Sequence, residues 1–370
     1  MKILITGSNG FIGKNLVTKL KAEDKHLISS FNRHDTDEEL FDCLSKVDCI
    51  VHLAGENRPE IDSLFEETNV GLTKKICNFL QQSSLRTPII YASSIQATSD
   101  NLYGKSKLQA ENVLLELNKT NNNAVAIFRL PGVFGKWSKP NYNSVVSTFC
   151  YNLARDLPIE INDPSHLLSL SYIDDVVHQI SNIIEDGLRT TDYQFVQLNN
   201  IYKLTVGELA DKIKSFSNVR KSLITEKVGE GITRALYSTY VSYLKPKDFS
   251  YILPSHQDER GTFVEMLKTI NSGQFSFFTA HPGVTRGGHY HHTKTEKFLV
   301  IKGEAQFGFR NIITNERHFL NTSEKSPEVV ETVPGWTHDI TNTGNDDLIV
   351  MLWANEIFNQ DFPDTYIEKV

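Results

Sequence analysis

Residues 1–13 read Met1-KILITGSNGFI-Gly13, and this stretch decides the fold of the first half of the chain. Lys2–Thr6 is short and rich in Ile and Leu, as a buried strand requires. It breaks at Gly7, and Gly10 and Gly13 follow at spacings that open a helix. Glycines here permit a tight turn and let the backbone approach a pyrophosphate held on the helix N-terminus. Strand, glycine turn and helix in immediate succession predict a dinucleotide site at the edge of a parallel sheet.

Working outward, HLISS, CIVHLAG, PIIYASS and AVAIFRL read as further strands, bounded by Gly, Ser or Asn. Segments such as Lys14–Leu20 and Leu102–Asn118 carry apolar residues at helical spacing. The alternation predicts an α/β, Rossmann-type doubly wound parallel sheet. The second strand runs into Phe31-Asn32-Arg33-His34. An acidic residue there would hold a ribose 2′-hydroxyl, whereas Arg33 suits a 2′-phosphate, so the expected cofactor is NADPH. Tyr103 and Lys107 are four apart on a predicted helix and share a face. An ammonium beside a phenol favours the phenolate and tunes the group for proton transfer. Tyr243 and Lys247 repeat the spacing, but Pro246 between them breaks a helix, and the repeat is read as chance. Ser93 and Ser94 end the strand before Tyr103, where a hydroxyl can meet a substrate oxygen.

Together these residues resemble the extended short-chain dehydrogenase/reductase family over about residues 1–245. The resemblance includes Asp48–Ala54, placed on the fourth strand, and Asn69-Val-Gly71 on the next helix. It continues with Arg129-Leu-Pro-Gly-Val-Phe-Gly135, after the sixth strand, and Tyr172-Ile-Asp-Asp175. It implies that Tyr103 moves the proton, Lys107 binds the ribose and tunes Tyr103, and Ser94, rather than Ser93, orients the substrate oxygen. It also implies a cofactor-binding set of Gly7, Gly10, Phe11, Ile12, Gly13, Arg33, Leu53, Ala54 and Lys107. Members of this family mostly act on nucleotide-linked sugars.

From about Ser250 short strand-like runs follow one another: GTFVEML, QFSFFTA, KFLVIKG, EAQFGFR and LIVMLWA. That pattern predicts an antiparallel all-β barrel or sandwich at residues 250–370, with Leu244–Asp248 as the junction. Within it His289 and His291 are two apart and face one side of a strand. Glu296 shares parity with Phe298 and Val300, which face the interior, and the Pro334-Gly335 turn leads to His338. Three imidazoles and one carboxylate suit Zn²⁺ or another first-row divalent ion. Tyr290 and His292 alternate with the ligands and point outward. His281, His292 and His318 are read as solvated or core residues.

The spacing Gly283-x5-His289-x-His291-x4-Glu296-x6-Gly303 is similar to the first cupin motif. Pro334-Gly335, His338 and Asn342 resemble the second, with Pro and Gly adjacent rather than one apart. Asp258–Glu265 looks like the opening strand of deoxysugar-epimerase cupins, a subgroup that commonly works without metal.

At 370 residues the chain is long enough for two domains. A net charge of −7 argues against nucleic-acid or anionic-membrane partners. The four cysteines form no C-x-x-C pair, and no apolar run is long enough to span a bilayer or serve as a signal peptide, so a reduced, cytoplasmic protein is expected. A reductase joined to a cupin resembles a family of capsular polysaccharide synthesis enzymes. That resemblance implies a UDP-linked 4-keto-6-deoxy-2-acetamido sugar as substrate, on the route to UDP-N-acetyl-L-fucosamine. The cupin would invert C3, and the reductase would then reduce the C4 ketone to UDP-2-acetamido-2,6-dideoxy-L-talose. The residue that removes the C3 proton is not identified by the sequence. Three alternatives stand beside this reading: a metal-fastened cupin that only dimerises a reductase, a ligand-sensing module, and an iron dioxygenase. A homodimer is expected by analogy.

Overall fold

The structure, a computed structural model, describes residues 1–188 and 193–370. The chain divides into two compact units: Met1–Ile213 with Arg234–Leu244, and Lys214–Thr233 with Lys245–Val370.

The first unit runs β1 (Lys2–Thr6), α1 (Phe11–Glu23), β2 (Leu27–Phe31), α2 (Asp37–Leu44), β3 (Cys49–His52), α3 (Leu72–Gln82), β4 (Ile89–Ser94), α4 (Leu102–Asn121) and β5 (Val125–Leu130). It continues with β6 (Gly132–Phe134), α5 (Val145–Leu153), β7 (Leu167–Tyr172), α6 (Ile173–Asp186), β8 (Tyr193–Phe195) and β9 (Tyr202–Thr205). Helix α7 (Val206–Ser222) begins in this unit and ends in the second, and α8 (Gly231–Ser242) begins in the second and ends in this one. Six parallel strands form a sheet in the order β2-β1-β3-β4-β5-β8. Alternation along β1 explains its unbroken apolar run. Ile3 and Ile5 pack with Leu16 and Leu20 of α1 and Val176 and Ile180 of α6. Leu4 turns to the opposite face, with Leu40, Ile76 and Leu114. Helices therefore cover both faces of a doubly wound sheet, as expected. Each of these fully buried aliphatic side chains contributes about 1.5–3 kcal/mol.

The strand count departs from the sequence reading. Asp48–Ala54 lies on the third strand, not the fourth, and Arg129 lies within the fifth strand rather than after a sixth. A single eight-residue helix, α2, is the only regular element between β2 and β3, and β3 pairs directly with β1. Thr36 and Glu39 start α2 as a reciprocal capping box. Gly132–Phe134 belongs to a separate three-stranded sheet, β6-β7-β9.

The second unit is built from β10 (Ser255–Asp258), β11 (Gly261–Thr269), β12 (Gly273–Ala280), β13 (Thr285–Tyr290), β14 (Glu296–Lys302) and β15 (Glu304–Asn311). Then come β16 (Arg317–Ser323), β17 (Val329–Glu331), β18 (Trp336–Asn342), β19 (Leu348–Ala354) and β20 (Tyr366–Ile367). They form two antiparallel sheets, β10-β11-β12-β19-β14-β17 and β16-β15-β18-β13-β20. Their inner faces share a core of Phe278, Phe298, Phe307, Phe309, Ile340 and Val350. This is the expected cupin architecture. Lys214–Thr233 joins this unit through backbone bonds from Lys268 N to Leu223 O and from Thr225 N to Lys268 O, both 2.8 Å.

Candidate functional site

In the first unit the glycine turn is held from both sides. Gly7 has φ +70°, and a Cβ there would stand 2.8 Å from the Ala54 nitrogen. Gly13 packs against Gly7 and Ser8 so closely that no side chain fits. The turn therefore needs glycine at both ends, and Gly10 starts α1 with its amides free of a side-chain cap. Gly10, Phe11, Ile12, Arg33, Leu53 and Lys107 all line one cavity of about 990 Å³. Ser93, Ser94 and Tyr103 line it too. Gly7, Gly13 and Ala54 shape the turn beneath it rather than its wall. Arg33 forms an ion pair with Glu56, which also borders the cavity.

Helix α4 sets the Tyr103–Lys107 pair. Asn101 caps it, its Oδ1 accepting from Gly104 N at 2.7 Å. Gly104 lies so close to the Gln96 and Ser99 carbonyls that a side chain would push the helix away from the short turn that follows β4. Lys107 is buried and donates to Ala92 O at 2.9 Å, with Tyr91 Oη at 3.4 Å. Burial brings its ammonium down to about 8, while Glu111 acts in the opposite direction. Burial raises the Tyr103 phenol, and a hydrogen bond with Ser94 partly offsets this. The two serines separate cleanly. Ser94 engages Tyr103, whereas Ser93 donates to Glu111 at 2.5 Å.

Glu111 was missed from the sequence. It is 1% exposed and also accepts from Arg129 at 2.6 and 3.0 Å. Its position four residues after Lys107 was the available signal. Asn69 is likewise structural to the site, bonding both the backbone of Glu56 and Ser106 Oγ. The Tyr243 hydroxyl donates to Ser138 O at 2.5 Å, and Tyr243 is absent from the cavity wall.

In the second unit His289, His291, Glu296 and His338 converge. Each offers a ligand atom, and these atoms lie within 4.8 Å of one another. A bulge in β13 makes this possible. Gly287 pairs with Asp339 but His289 pairs with His338, so one extra residue sits on β13. Gly287 and Gly288 have φ of +97° and +75°, conformations that favour glycine. The Pro334-Gly335 turn is tied to the same strand end by Gly335 N donating to His291 O at 2.9 Å.

The donor set fits a divalent ion. Glu296 Oε2 lies 3.1 Å from His291 Nε2 and 3.3 Å from His338 Nε2. Both ring nitrogens of buried His338 lack an aligned hydrogen-bond partner, an unusual cost unless a ligand takes one of them. Burial lowers His289 to about 4, so its imidazole is neutral and able to coordinate. Burial pushes the Glu296 carboxyl up, but His291, His338 and Lys294 outweigh it and keep the group ionised. Lys294, also missed from the sequence, places Nζ 3.1 Å from Glu296 Oε1. Arg286 lies inward on β13 opposite Ile340, its guanidinium over the Phe278 ring. Tyr290 stacks on Tyr366 and His292 is exposed, so both face away from the ligands as expected. Among the described residues no helix is long and apolar enough to cross a membrane.

Comparison with known proteins covers both units. Residues 3–195 match the NAD dependent epimerase/dehydratase family, and residues 256–366 match the polysaccharide biosynthesis C-terminal domain. A UDP-2-acetamido-2,6-beta-L-arabino-hexul-4-ose reductase of Pseudomonas aeruginosa is 54% identical over 99% of this chain and 98% of its own. The capsular polysaccharide assembling protein CapF of Staphylococcus aureus superposes with a TM-score of 0.92 at 43% identity, covering all of both chains. A structure of CapF with the inhibitor 3-isopropenyl-tropolone superposes at 0.87 and 39% identity, again over both full chains.

Proposed function

The chain belongs to the NAD dependent epimerase/dehydratase family and, over its full length, to the CapF-type proteins that join such a domain to a cupin; on that premise we propose a two-step conversion of a UDP-linked 4-keto sugar. At the coarser level the chain is a nucleotide-sugar oxidoreductase of polysaccharide biosynthesis. The finer reading is that the second unit inverts C3 of a UDP-4-keto-6-deoxy-2-acetamido sugar. The first unit then reduces C4 to give UDP-2-acetamido-2,6-dideoxy-L-talose, a step toward UDP-N-acetyl-L-fucosamine.

The observation that carries this reading is the coexistence of two intact sites in one chain. The Ser94–Tyr103–Lys107 group borders a cavity of about 990 Å³, and three histidines converge with Glu296 elsewhere. In the first site NADPH, when bound, would supply the hydride, and Arg33, which pairs with Glu56 here, would turn to hold its 2′-phosphate. Ser94 orients the C4 ketone oxygen, and Tyr103 donates its proton there as hydride reaches C4. Lys107, as the ammonium, stabilises the phenolate that Tyr103 leaves behind and steadies the ribose. Raised by burial, the Tyr103 phenol enters the reaction protonated, as a reduction requires.

In the second site His289, His291, Glu296 and His338 would hold Zn²⁺ or a related ion, which supplies Lewis-acid polarisation of a carbonyl oxygen. A C3 proton beside a C4 ketone is acidified by that carbonyl, so the chemistry suits a site that favours negative charge on oxygen. Arg286 adds a cation inside the same barrel, suited to an anionic sugar nucleotide. The tropolone inhibitor of the full-length relative has paired oxygens of chelating type, which supports a metal role in the family.

The test is incubation with the UDP-linked 4-keto-6-deoxy-2-acetamido sugar in D₂O, with and without NADPH, followed by NMR. The expected result is deuterium at C3 without NADPH, and a C4 alcohol only with it. Reduction with no exchange at C3 would reduce the second unit to a structural role.

A further inference from the structure

The ligand set has an outer layer that comes from the far end of the chain. His291 is 1% exposed, and its Nδ1 lies 2.5 Å from the backbone carbonyl oxygen of Asp364. A carbonyl only accepts, so Nδ1 carries the proton and Nε2 keeps its lone pair for the ligand cluster. The Asp364 carboxylate meanwhile gathers the loop between β13 and β14. It accepts from His292 N at 2.9 Å, Thr293 N at 2.7 Å, Lys294 N at 2.8 Å and Thr293 Oγ1 at 2.9 Å. Three consecutive amides closed on one carboxylate make a rigid anion-holding turn. The last residue of that turn, Lys294, is 8% exposed and reaches Glu296 Oε1. Oε2 is then the oxygen left facing His291 and His338.

We propose that Asp364 is a positioning residue for the metal centre, fixing the tautomer of His291 through its carbonyl and the pose of Glu296 through Lys294. The proposal rests on the metal reading of His289, His291, Glu296 and His338. One residue more than sixty positions from either ligand thereby sets two of the four. Pro363 restricts the backbone immediately before it, and β20 continues the strap by pairing with β13.

The experiment uses the full chain, stripped of metal and titrated with Zn²⁺ against a chromophoric chelator, and separately with Co²⁺ by visible spectroscopy. Asp364→Ala is expected to weaken Zn²⁺ binding about 10–100-fold and to alter the Co²⁺ bands. Asp364→Asn keeps the backbone carbonyl and one side-chain acceptor but loses the charge and the second acceptor oxygen, and is expected to fall between. Glu368→Ala removes a neighbouring tail contact to Arg310 and is expected to stay within about twofold of wild type. Zn²⁺ affinity in Asp364→Ala within about twofold, with unchanged Co²⁺ bands, overturns the proposal. So does equal weakening by Glu368→Ala, since general tail packing would then explain it. If Asp364→Ala does not fold, Asp364→Asn decides by the same criterion. A wild-type chain that binds neither ion sinks the metal reading itself, a result distinct from tight wild-type binding that the Asp364 variants leave unmoved.

Discussion

The two sites handle charge in opposite ways. In the first unit one buried ammonium, Lys107, stands among neutral oxygens, and burial weakens its hold on its proton. In the second a buried carboxylate, Glu296, is surrounded by two imidazoles and an ammonium that more than compensate for burial. The first site keeps this one cation on the cavity wall that Tyr103 also lines. The second gathers three imidazoles around one fixed negative charge, a donor set that suits a cation. Their construction differs as well. Tyr103 and Lys107 sit on one turn of one helix, whereas His289, His291, Glu296 and His338 come from three strands and the loop between two of them.

If the sites are chemically separate, single changes should silence one and spare the other. The largest expected effect is Tyr103→Phe, which should slow ketone reduction by about 10²–10⁴-fold, measured as NADPH consumption, while C3 deuterium exchange stays intact. Loss of both activities in a folded variant would break the comparison. Glu296→Gln should do the reverse. Zn²⁺ affinity should fall by more than about a hundredfold, since even outer partners of a metal site cost about 10–100-fold. C3 exchange should collapse with it, and reduction of an already inverted substrate should persist.

A pH series sharpens the contrast. Reductase kcat/KM should fall about tenfold per pH unit above the Lys107 value near 8, as the ammonium is lost. The sign for stability is opposite. The folded value lies below the ordinary 10.5, so between the two the unfolded chain binds more protons and stability rises with pH. Lys107→Met should remove both trends, read by rate profiles and by thermal melts across that window. The smallest effect belongs to Arg33→Ala, which should raise the KM for NADPH about tenfold and leave that for NADH nearly unchanged.

Much of this was legible in the sequence because it depends on short spacings. Gly7, Gly10 and Gly13 announce their turn, Tyr103 and Lys107 their helix face, and His289 and His291 their strand face. What escaped depends on tertiary contact or on counting. Asp364 meets His291 across the sheet with no periodicity linking them. Glu111 stood at helical spacing from Lys107, but its partners Ser93 and Arg129 lie on two different strands. The strand count failed because the link from β2 to β3 is one short helix with no intervening strand.

The β13 bulge carries a further consequence for how this chain tolerates insertions and deletions. Arg286 and His289 are three apart, an odd step, yet both point into the barrel because Gly288 is spare. Removing Gly288 altogether would restore simple alternation and still leave His289 opposite His338. Replacing it with valine would keep the spare residue but penalise its φ of +75°. At this one position, losing a residue should therefore be gentler than changing it, and zinc binding by the two variants would reveal the inversion.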